Sequence, residues 1–263
     1  MLLYSPEGQS AYESAQDDNS PYFRLVTKDE HEHLKCITKN VADILPKEFE
    51  YIDLGPGTEN KGSYFLKEFK NQSKNFSYVP VDVSSHFLGV AEKNANNFGI
   101  SVKPIQVSFE ELSDQLGIRK IPRFVSLLGL TFSNYEPIKI LDLLFKIAGK
   151  ESFILIDTQL SERVDLQKLK FVYQKYVAPA CDEKIRLLGL QPQKDVSDRI
   201  ADEQIFITCT LKKLNLVLED KGMKVGDKIK VFQSLRKTKT SFERDLRGLD
   251  YTILDTGNSF VSA

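Results

Sequence analysis

Two glycines that follow an apolar segment in the first quarter of the chain could hold a ligand against the backbone. Residues 49–54 are predominantly apolar and lead into Gly55-Pro56-Gly57, after which a helical pattern begins near Lys61. A strand that passes through a glycine turn into a helix brings main-chain atoms close to a ligand and presents helix N–H groups to it. The same turn also serves in many α/β proteins simply to leave a strand, so this motif alone allows both interpretations.

A carboxylate at the end of the next apolar segment favours the ligand-binding interpretation of the glycine turn. Asp82 closes residues 78–82, a little over 20 positions after the glycine turn. A carboxylate at this place in a Rossmann-like unit can accept hydrogen bonds from both ribose hydroxyls. Asp82 is also a suitable N-cap for the following helix, and the two roles are compatible.

The nature of the ligand follows from what the glycine turn lacks. A dinucleotide site needs a third glycine at the GxGxxG spacing, and Asn60 occupies that position. A ribose-binding carboxylate without a phosphate cradle fits S-adenosylmethionine, which has a ribose and an adenine but no phosphate. Asp53 then stands where it could attract the positively charged amino group of the methionyl part.

The elements around these residues alternate between strands and helices. The patterns predict strands over 49–54, 77–83, 101–107, 124–128 and 152–157, with helices over 61–70, 84–97 and 137–148. Thr27 and Glu30 match a capping box for a helix that runs to about Pro46, and Glu110-Glu111 suggests an acidic turn. Strands separated by helices predict a parallel sheet, and the fold class is α/β with a Rossmann-like, doubly wound sheet.

The pattern changes after about residue 160 and predicts a second lobe. A helix is expected over 164–177, followed by antiparallel strands over 204–211, 215–218 and 228–235. A helix over 241–249 and a terminal hairpin over 251–263 complete the chain. We expect 30–160 plus 236–263 to form the cofactor-binding domain and 1–29 plus 161–235 to form a small substrate lobe.

Bulk properties exclude several classes of partner. The 263 residues have a formal net charge of −1, and three cysteines, Cys36, Cys181 and Cys209, are far apart, as is typical of reduced thiols. No signal peptide or membrane span is apparent, so we expect a cytoplasmic protein. The basic stretch 212–247 lacks an aromatic stacking pattern, and His31 and His33 would face different sides of a helix. Nucleic acid, membrane and metal are therefore not expected as partners.

Three segments in order resemble one family of enzymes. Residues 53–61 (DLGPGTENK) resemble the E/D-L-G-x-G-T-x-x-K stretch of the histidine-specific methyltransferases, which use S-adenosylmethionine. Residues 78–84 (YVPVDVS) and 127–137 (LLGLTFSNYEP) are similar to two further segments of that family. The family includes the histidine Nα-trimethylating enzyme of ergothioneine synthesis and fungal dimethylallyltryptophan N-methyltransferases. The resemblance covers roughly residues 20–160 and implies a class I methyltransferase fold.

The resemblance also implies roles for matched positions. The cofactor would be bound by residues at the strand ends: Asp53, Gly55, Gly57, Lys61, Asp82, Ser108, Phe109 and Gly129. The acceptor would be bound by Tyr22, Asn134, Tyr173, Phe232 and Ser234. Asn134 and Tyr173 would orient the acceptor amine for methyl transfer, although Tyr173 is equally compatible with core packing and no strong base is apparent.

Two departures from the family pattern bear on the acceptor. Ser108 replaces an aspartate that contacts adenine, and Phe232 replaces a glutamate that binds imidazole. A phenyl ring cannot accept a hydrogen bond from an imidazole N–H, and an unpaired buried N–H costs about 1–3 kcal/mol. We therefore expect an N-methyltransferase for a small amino-acid-like amine with an apolar or aromatic side chain rather than free histidine. A larger peptide or natural-product acceptor, and a non-catalytic S-adenosylmethionine-binding regulatory module, remain alternatives. The sequence predicts no oligomeric state.

Overall fold

The computed structural model divides the chain into two compact units. One comprises Met1–Val26 and Val164–Arg236, and the other Thr27–Arg163 and Lys237–Ala263. The structure describes residues 10, 13–17, 19–58, 61–116, 120–197, 200–201, 204–249 and 251–254. The larger unit is called the parallel unit below, and the smaller the antiparallel unit, after the sheet that each contains.

The parallel unit begins with helix α1 (Lys28–Ile44), and strands then alternate with helices. The elements are β1 (Glu48–Leu54), α2 (Lys61–Asn71), β2 (Asn75–Asp82), α3 (Ser85–Asn97), β3 (Ile105–Gln106), α4 (Phe109–Gln115), β4 (Arg123–Leu127), a 3₁₀ helix (Gly129–Asn134), α5 (Pro137–Ala148) and β5 (Phe153–Ile156). A further helix, Lys239–Gly248, returns to this unit.

The five strands form a parallel sheet in the order β3-β2-β1-β4-β5. The register places Asp53 between Pro80 of β2 and Ser126 of β4. The chain order reverses at β1, and ligands of open α/β sheets bind outside the carboxyl ends of the strands at such a switch point. The predicted Rossmann-like α/β sheet is confirmed.

Alternation along β1 separates the core of the parallel unit into two layers. Phe49 and Tyr51 face an aromatic layer that contains Phe65, Phe69 and Phe124. Leu54, together with its neighbour Ile52, faces an aliphatic layer completed by Val125, Leu127, Ile140, Leu141 and Leu144. Side chains on both faces of a parallel strand are buried, which explains why these strands read as nearly continuous apolar runs.

The antiparallel unit consists of short helices and a small sheet. Its elements are α6 (Leu166–Val172), which continues as a π-helical turn (Tyr173–Val177), then a 3₁₀ turn (Pro179–Cys181), α7 (Asp182–Leu187), β6 (Val196–Ser197), β7 (Ile200–Ala201), β8 (Phe206–Leu211), α8 (Leu216–Asp220) and β9 (Lys228–Gln233). Strand β8 pairs antiparallel with β6, β7 and β9. Ile207 and Cys209 of β8 pack on Ile185 of α7, so the sheet covers the short helices.

Three local predictions are wrong. Thr27 makes no capping hydrogen bond through its side chain, because it ends a π-helical turn (Phe23–Thr27) rather than starting the helix from extended backbone. Glu110 and Glu111 lie inside helix α4, not in a turn. Residues predicted as the strand 215–218 form helix α8, because the Asn215 side chain accepts a hydrogen bond from Leu218 N–H and caps it.

The ends of some predicted strands differ from those in the structure, and others lie outside the described residues. Strand β3 contains only two residues, although Val102 makes a separate parallel bridge to Tyr78. Within the predicted terminal hairpin, residues 251–254 are not in a strand, and residues 255–263 lie outside the described part of the chain. Among the described residues, no helix is long and apolar enough to cross a membrane.

Candidate functional site

The glycine turn after β1 has the backbone that a close ligand approach requires. Gly55 and Gly57 both have positive φ, +67° and +59°, which favours glycine. Gly55 N–H donates to the Val81 carbonyl at 2.9 Å and thereby ties the turn to the end of β2. A Cβ on Gly55 would lie 3.4 Å from the ring of Phe109. The position of Asn60 is outside the described residues.

Asp53 lies at the centre of a buried hydrogen-bond network. Its two carboxylate oxygens accept hydrogen bonds from Ser126 Oγ at 2.7 Å and from the Tyr78 hydroxyl at 2.9 Å. Burial raises the pKa of Asp53 to about 6, against the hydrogen bonds of Ser126 and Tyr78, which lower it. A Cβ on Gly62 would lie 2.5 Å from Asp53 Oδ2, so helix α2 approaches the carboxylate at a glycine. A carboxylate offers about four acceptor sites, and capacity therefore remains for a ligand.

Asp82 ends β2 next to the glycine turn. Its Oδ1 accepts the Ser84 N–H at 2.8 Å, and the N-cap of α3 is Ser84, whose side chain accepts the Phe87 N–H. The alternative role of Asp82 as the helix cap is therefore wrong. Burial raises the pKa of Asp82 to about 6, while hydrogen bonds from the backbone N–H groups of Ser84 and Val83 lower it.

Lys61 forms a buried ion pair at the turn after β4. Its Nζ lies 2.6 Å from Glu30 Oε1, and both side chains are more than nine-tenths buried. Gly129 has φ +76°, and a Cβ there would lie 3.0 Å from Lys61 Nζ. The Gly129 N–H donates to Asp157 Oδ2 at 3.3 Å. Two predicted cofactor residues, Lys61 and Gly129, are therefore adjacent, and two acids that the sequence did not indicate accompany them.

Ser108 and Phe109 begin helix α4. The Ser108 hydroxyl donates to Glu111 Oε2 at 2.9 Å. The Phe109 ring is stacked on Tyr135 with centroids 6.1 Å apart. Phe109 is buried against the glycine turn, so this predicted pair lies at the same sheet edge as Gly55.

Asn134 is exposed at the end of the 3₁₀ helix that starts at Gly129. Its neighbour Ser133 is buried and lies with its hydroxyl 3.2 Å from that of Thr158, which follows β5. The predicted acceptor-binding amide is therefore accessible on a turn whose base is fixed between β4 and β5.

The antiparallel unit brings the remaining predicted acceptor residues together. Tyr173 and Ser234, 61 positions apart, are buried, with hydroxyl oxygens 3.1 Å from each other. The rings of Tyr22 and Phe232 both lie 6.1 Å from that of Tyr173, centroid to centroid. Arg236 joins this cluster and donates from Nη1 to Ser234 Oγ at 3.0 Å and from Nη2 to the Tyr173 hydroxyl at 3.1 Å.

The sequence did not indicate several polar partners, for identifiable reasons. Glu30 fits a capping box and was assigned to it, whereas Tyr78 and Ser126 look like ordinary strand residues. Arg236 stands in a basic stretch that suggests exposed surface. Only Gly62 could have been recognised from the sequence. Glycine is unfavourable in a helix, so a glycine in the first turn indicates close packing against a neighbour. Among the described residues, no group of three His, Cys, Asp or Glu side chains could hold a metal ion.

A comparison with models of protein families shows to which family the chain belongs. The model of a family described as histidine-specific, SAM-dependent methyltransferase matches residues 1–173. The chain belongs to this family. The match includes the glycine turn, Asp82 and the segment of Gly129 and Asn134, so the resemblance expected from three short motifs is confirmed. SAM is the cofactor by which the family is defined, so the predicted membership in a family of SAM-dependent methyltransferases is confirmed.

A curated relative matches part of the length of this chain. The 4-dimethylallyltryptophan N-methyltransferase of Claviceps purpurea is 28% identical over 145 residues, which cover 52% of this chain and 41% of the relative. The chain thus spans about two fifths of that relative's length.

Solved structures of similar proteins include two SAM-dependent methyltransferases. The one from Anabaena variabilis is 14% identical with a TM-score of 0.47, covering 94% of this chain and 83% of the other. The one from Clostridium acetobutylicum is 15% identical with a TM-score of 0.42, covering 95% and 89%.

Proposed function

We propose that this methyltransferase transfers a methyl group from SAM to the amino group of a small, amino-acid-like acceptor with an apolar or aromatic side chain. The observation that carries the proposal is the joining of the glycine turn to Asp82. Gly55 N–H is hydrogen-bonded to Val81, the residue before Asp82, so the turn and the carboxylate form one continuous edge. This edge suits a ligand with a ribose at one end and an amino acid at the other.

The residues at this edge fit the groups of SAM. A Cβ on Gly55 would contact Phe109, and a Cβ on Gly129 would contact Lys61. Because glycine has no Cβ, a ligand can approach the main chain of both turns. Asp82 provides acceptors for ribose hydroxyls, and Lys61 provides a cation for a carboxylate. The acids Asp53, Glu30 and Asp157 around these turns suit an ammonium group and a sulfonium.

The chemistry requires little of the protein beyond positioning. SAM supplies an activated methyl group on a sulfonium. The protein must hold a neutral amine in line with that group, and good alignment contributes several kcal/mol to such reactions. Asn134 is accessible and provides an amide that orients the amine lone pair. The resemblance to the family also implies Tyr173 and Ser234 as acceptor-binding residues.

The environment of Tyr173 supports the expected type of acceptor. Phe232 packs against Tyr173 where the histidine enzyme has a glutamate, and Tyr22 packs against the same ring. These rings favour an apolar side chain, and the Phe232 ring offers no hydrogen-bond acceptor for an imidazole N–H. The similarity to a methyltransferase that acts on a substituted tryptophan agrees with this preference.

Two measurements test the proposal. Calorimetry should detect SAM binding to the wild-type chain, and Asp82→Ala should weaken it at least 100-fold because two charge-assisted hydrogen bonds are lost at roughly 1.5–3 kcal/mol each. Asp114→Ala removes an exposed acid of α4 and should leave the affinity unchanged. Incubation with labelled SAM and pools of amino acids and amines should then yield an N-methylated product by mass spectrometry. Binding of SAM without any product would favour a non-catalytic module, and absence of SAM binding would refute the proposal.

A further inference from the structure

Three segments of the antiparallel unit meet at the end of its sheet where β8 ends and β6 and β9 begin. The Asn215 side-chain amide donates to the Leu188 carbonyl at 2.5 Å and joins the segment after α7 to the start of α8. Met223 N–H donates to the Leu218 carbonyl at 3.0 Å and joins the end of α8 to the segment before β9. The surface formed by residues 187–195 and 212–228 is called the sheet tip below.

Exposed aliphatic side chains are concentrated at the sheet tip. Of the eleven large hydrophobic side chains exposed in the described part of the chain, four lie here: Leu187 (77%), Leu216 (77%), Val217 (58%) and Val225 (62%). Leu218 is buried in the core of the unit, so it anchors α8 while the two residues before it remain in solvent. Single exposed aliphatic residues need no explanation, whereas four on joined segments indicate an interaction surface.

The same surface has an excess of positive charge. It contains six lysines and four acids, hence a net charge of +2, although the whole chain has a formal net charge of −1. All six lysines are exposed, and none makes an ion pair within the residues that the structure describes: Lys194, Lys212, Lys213, Lys221, Lys224 and Lys228. Among the acids, Asp195 and Asp227 accept main-chain N–H groups, while Glu219 and Asp220 are exposed. The ammonium groups are therefore available to an anionic partner.

The composition of the sheet tip favours a lipid surface over a protein as that partner. Protein interfaces are enriched in aromatic residues, methionine and arginine and depleted in lysine. The sheet tip contains no aromatic residue and no arginine, and its one methionine is half-buried. Lysine suits a lipid surface, because its aliphatic stem lies along apolar groups while its ammonium stays among the headgroups. Anionic headgroups attract such lysines.

We propose that the sheet tip binds the surface of a membrane that contains anionic phospholipid. The four exposed aliphatic side chains insert at the boundary between headgroups and acyl chains, and the lysines contact the anionic headgroups. The sequence-based expectation of no membrane partner considered only spanning segments, and it considered the basic stretch 212–247 only as a surface for nucleic acid. The inference is independent of methyl transfer, since no residue of the sheet tip was assigned to the cofactor or the acceptor.

Flotation with lipid vesicles tests the proposal on the whole chain. Vesicles of phosphatidylcholine with about 30 mol % phosphatidylserine should bind it at least about 10-fold more tightly than vesicles of phosphatidylcholine alone, because each lysine near an anionic surface contributes about 5-fold. Raising NaCl from about 0.1 M to about 0.5 M should weaken binding, since salt screens the attraction. Equal binding to both vesicles, or binding to neither, would overturn the inference.

Apolar substitutions assign the binding to the sheet tip. Leu187→Asn with Leu216→Asn should weaken binding to the anionic vesicles at least about 10-fold, because two exposed leucines no longer enter the bilayer. Ile44→Asn with Ile138→Asn is the matched control, since it removes two exposed isoleucines of the parallel unit, and it should leave binding unchanged. Thermal unfolding confirms that each variant is folded. Equal losses in the two double variants would contradict the assignment.

Charge substitutions separate a membrane from an acidic protein. Lys212→Gln with Lys213→Gln should weaken binding to the anionic vesicles about 10-fold or more. Lys67→Gln with Lys93→Gln removes two exposed lysines of α2 and α3 and should have little effect. Polyglutamate serves as the probe for an acidic protein. Binding of polyglutamate that depends on Lys212 and Lys213, without binding of vesicles, would overturn the proposal in favour of a protein partner.

An introduced tryptophan reports insertion directly, because the chain has none of its own. With anionic vesicles, Leu216→Trp should show blue-shifted emission and quenching by lipids brominated in the acyl chain. Ile44→Trp should show neither. An unchanged emission of Leu216→Trp on vesicles that bind the protein would contradict insertion of the sheet tip.

Discussion

The two units of this chain bury different charges around their candidate sites. In the parallel unit, Asp53, Asp82, Glu30 and Asp157 are buried near the strand ends, with Lys61 among them. In the antiparallel unit, the buried ion of the cluster is Arg236, hydrogen-bonded to hydroxyls. The two cations therefore differ in their printed contacts: Lys61 contacts a carboxylate, and Arg236 donates to two hydroxyls.

We expect the largest effect on stability at Gly129, where the Lys61 side chain lies close to the main chain of the turn. Gly129→Ala introduces a Cβ at φ +76° and 3.0 Å from Lys61 Nζ, which must then move away from Glu30. We expect a loss of about 3–5 kcal/mol in the free energy of unfolding, measured by urea titration, together with loss of SAM binding.

Gly89→Ala is the matched control for this change. Gly89 lies in helix α3, and a Cβ added there would have nothing within 4 Å, so alanine should stabilise the chain by about 0.5–1 kcal/mol. A Gly129→Ala variant as stable as the wild type would show that the crowding at Lys61 is unimportant.

The second test compares the two buried cations. Glu30→Gln leaves Lys61 without the charge that it contacts at 2.6 Å and should cost about 3 kcal/mol. Arg236→Gln removes bonds to hydroxyls that can re-pair with an amide and should cost only about 1–2 kcal/mol by the same urea titration.

The double variant Glu30→Gln with Lys61→Met separates stability from binding in this comparison. It removes both charges, so stability should largely recover while SAM binding does not. Equal costs for Glu30→Gln and Arg236→Gln would contradict the larger cost expected for Glu30→Gln.

The third test uses pH to measure the cost of the buried acids. Burial raises the pKa of Asp53 from 3.8 to about 6, so ionisation of this carboxyl opposes folding. Its contribution to stability is present below pH 4 and is lost as pH rises through 6. Asp53→Asn should therefore be more stable than the wild type at pH 7.5, by up to about 2 kcal/mol, and little different at pH 4.

Urea titrations of both proteins across this pH range check the sign. Asp82 titrates in the same range, and taking the difference between wild type and Asp53→Asn isolates Asp53. A difference that shrinks as pH rises would contradict the assigned cause.

The smallest effect is expected in acceptor choice within the antiparallel unit. Phe232→Glu places a carboxylate beside Tyr173, where the histidine enzyme has one. We expect the ratio of histidine to phenylalanine binding to rise about 5-fold, since one exposed hydrogen bond contributes only about 1 kcal/mol. Calorimetry with both amino acids measures it, and Phe206→Glu, on β8, is the control.

Local signals in the sequence predicted the parallel unit well. The strand-turn-helix pattern around Gly55, Asp82 at the end of β2 and Pro137 at the start of α5 are encoded by neighbouring residues. The segment 215–218 was assigned to the wrong element because Asn215 caps a helix too short to show a period.

Such local signals could not predict contacts between residues that are far apart in the sequence. Tyr173 and Ser234, 61 residues apart, were each assigned to the acceptor only through the resemblance. Their contact with each other and the part of Arg236 in it were not predicted. Buried polar contacts of this kind depend on how a small sheet packs on short helices, and no local pattern records that packing.

The π-helical turn that starts at Tyr173 limits where the antiparallel unit can lose a residue. Its wide turn is closed by a hydrogen bond from Ala178 N–H to the Tyr173 carbonyl at 2.8 Å. Removing one residue between Tyr173 and Ala178 would convert the turn to ordinary α-helix and rotate everything after it by about 100°. Tyr173 would keep its place while Ala178 and Cys181 left the core. The extra residue therefore sets the rotation between Tyr173 and the following residues that pack in the core.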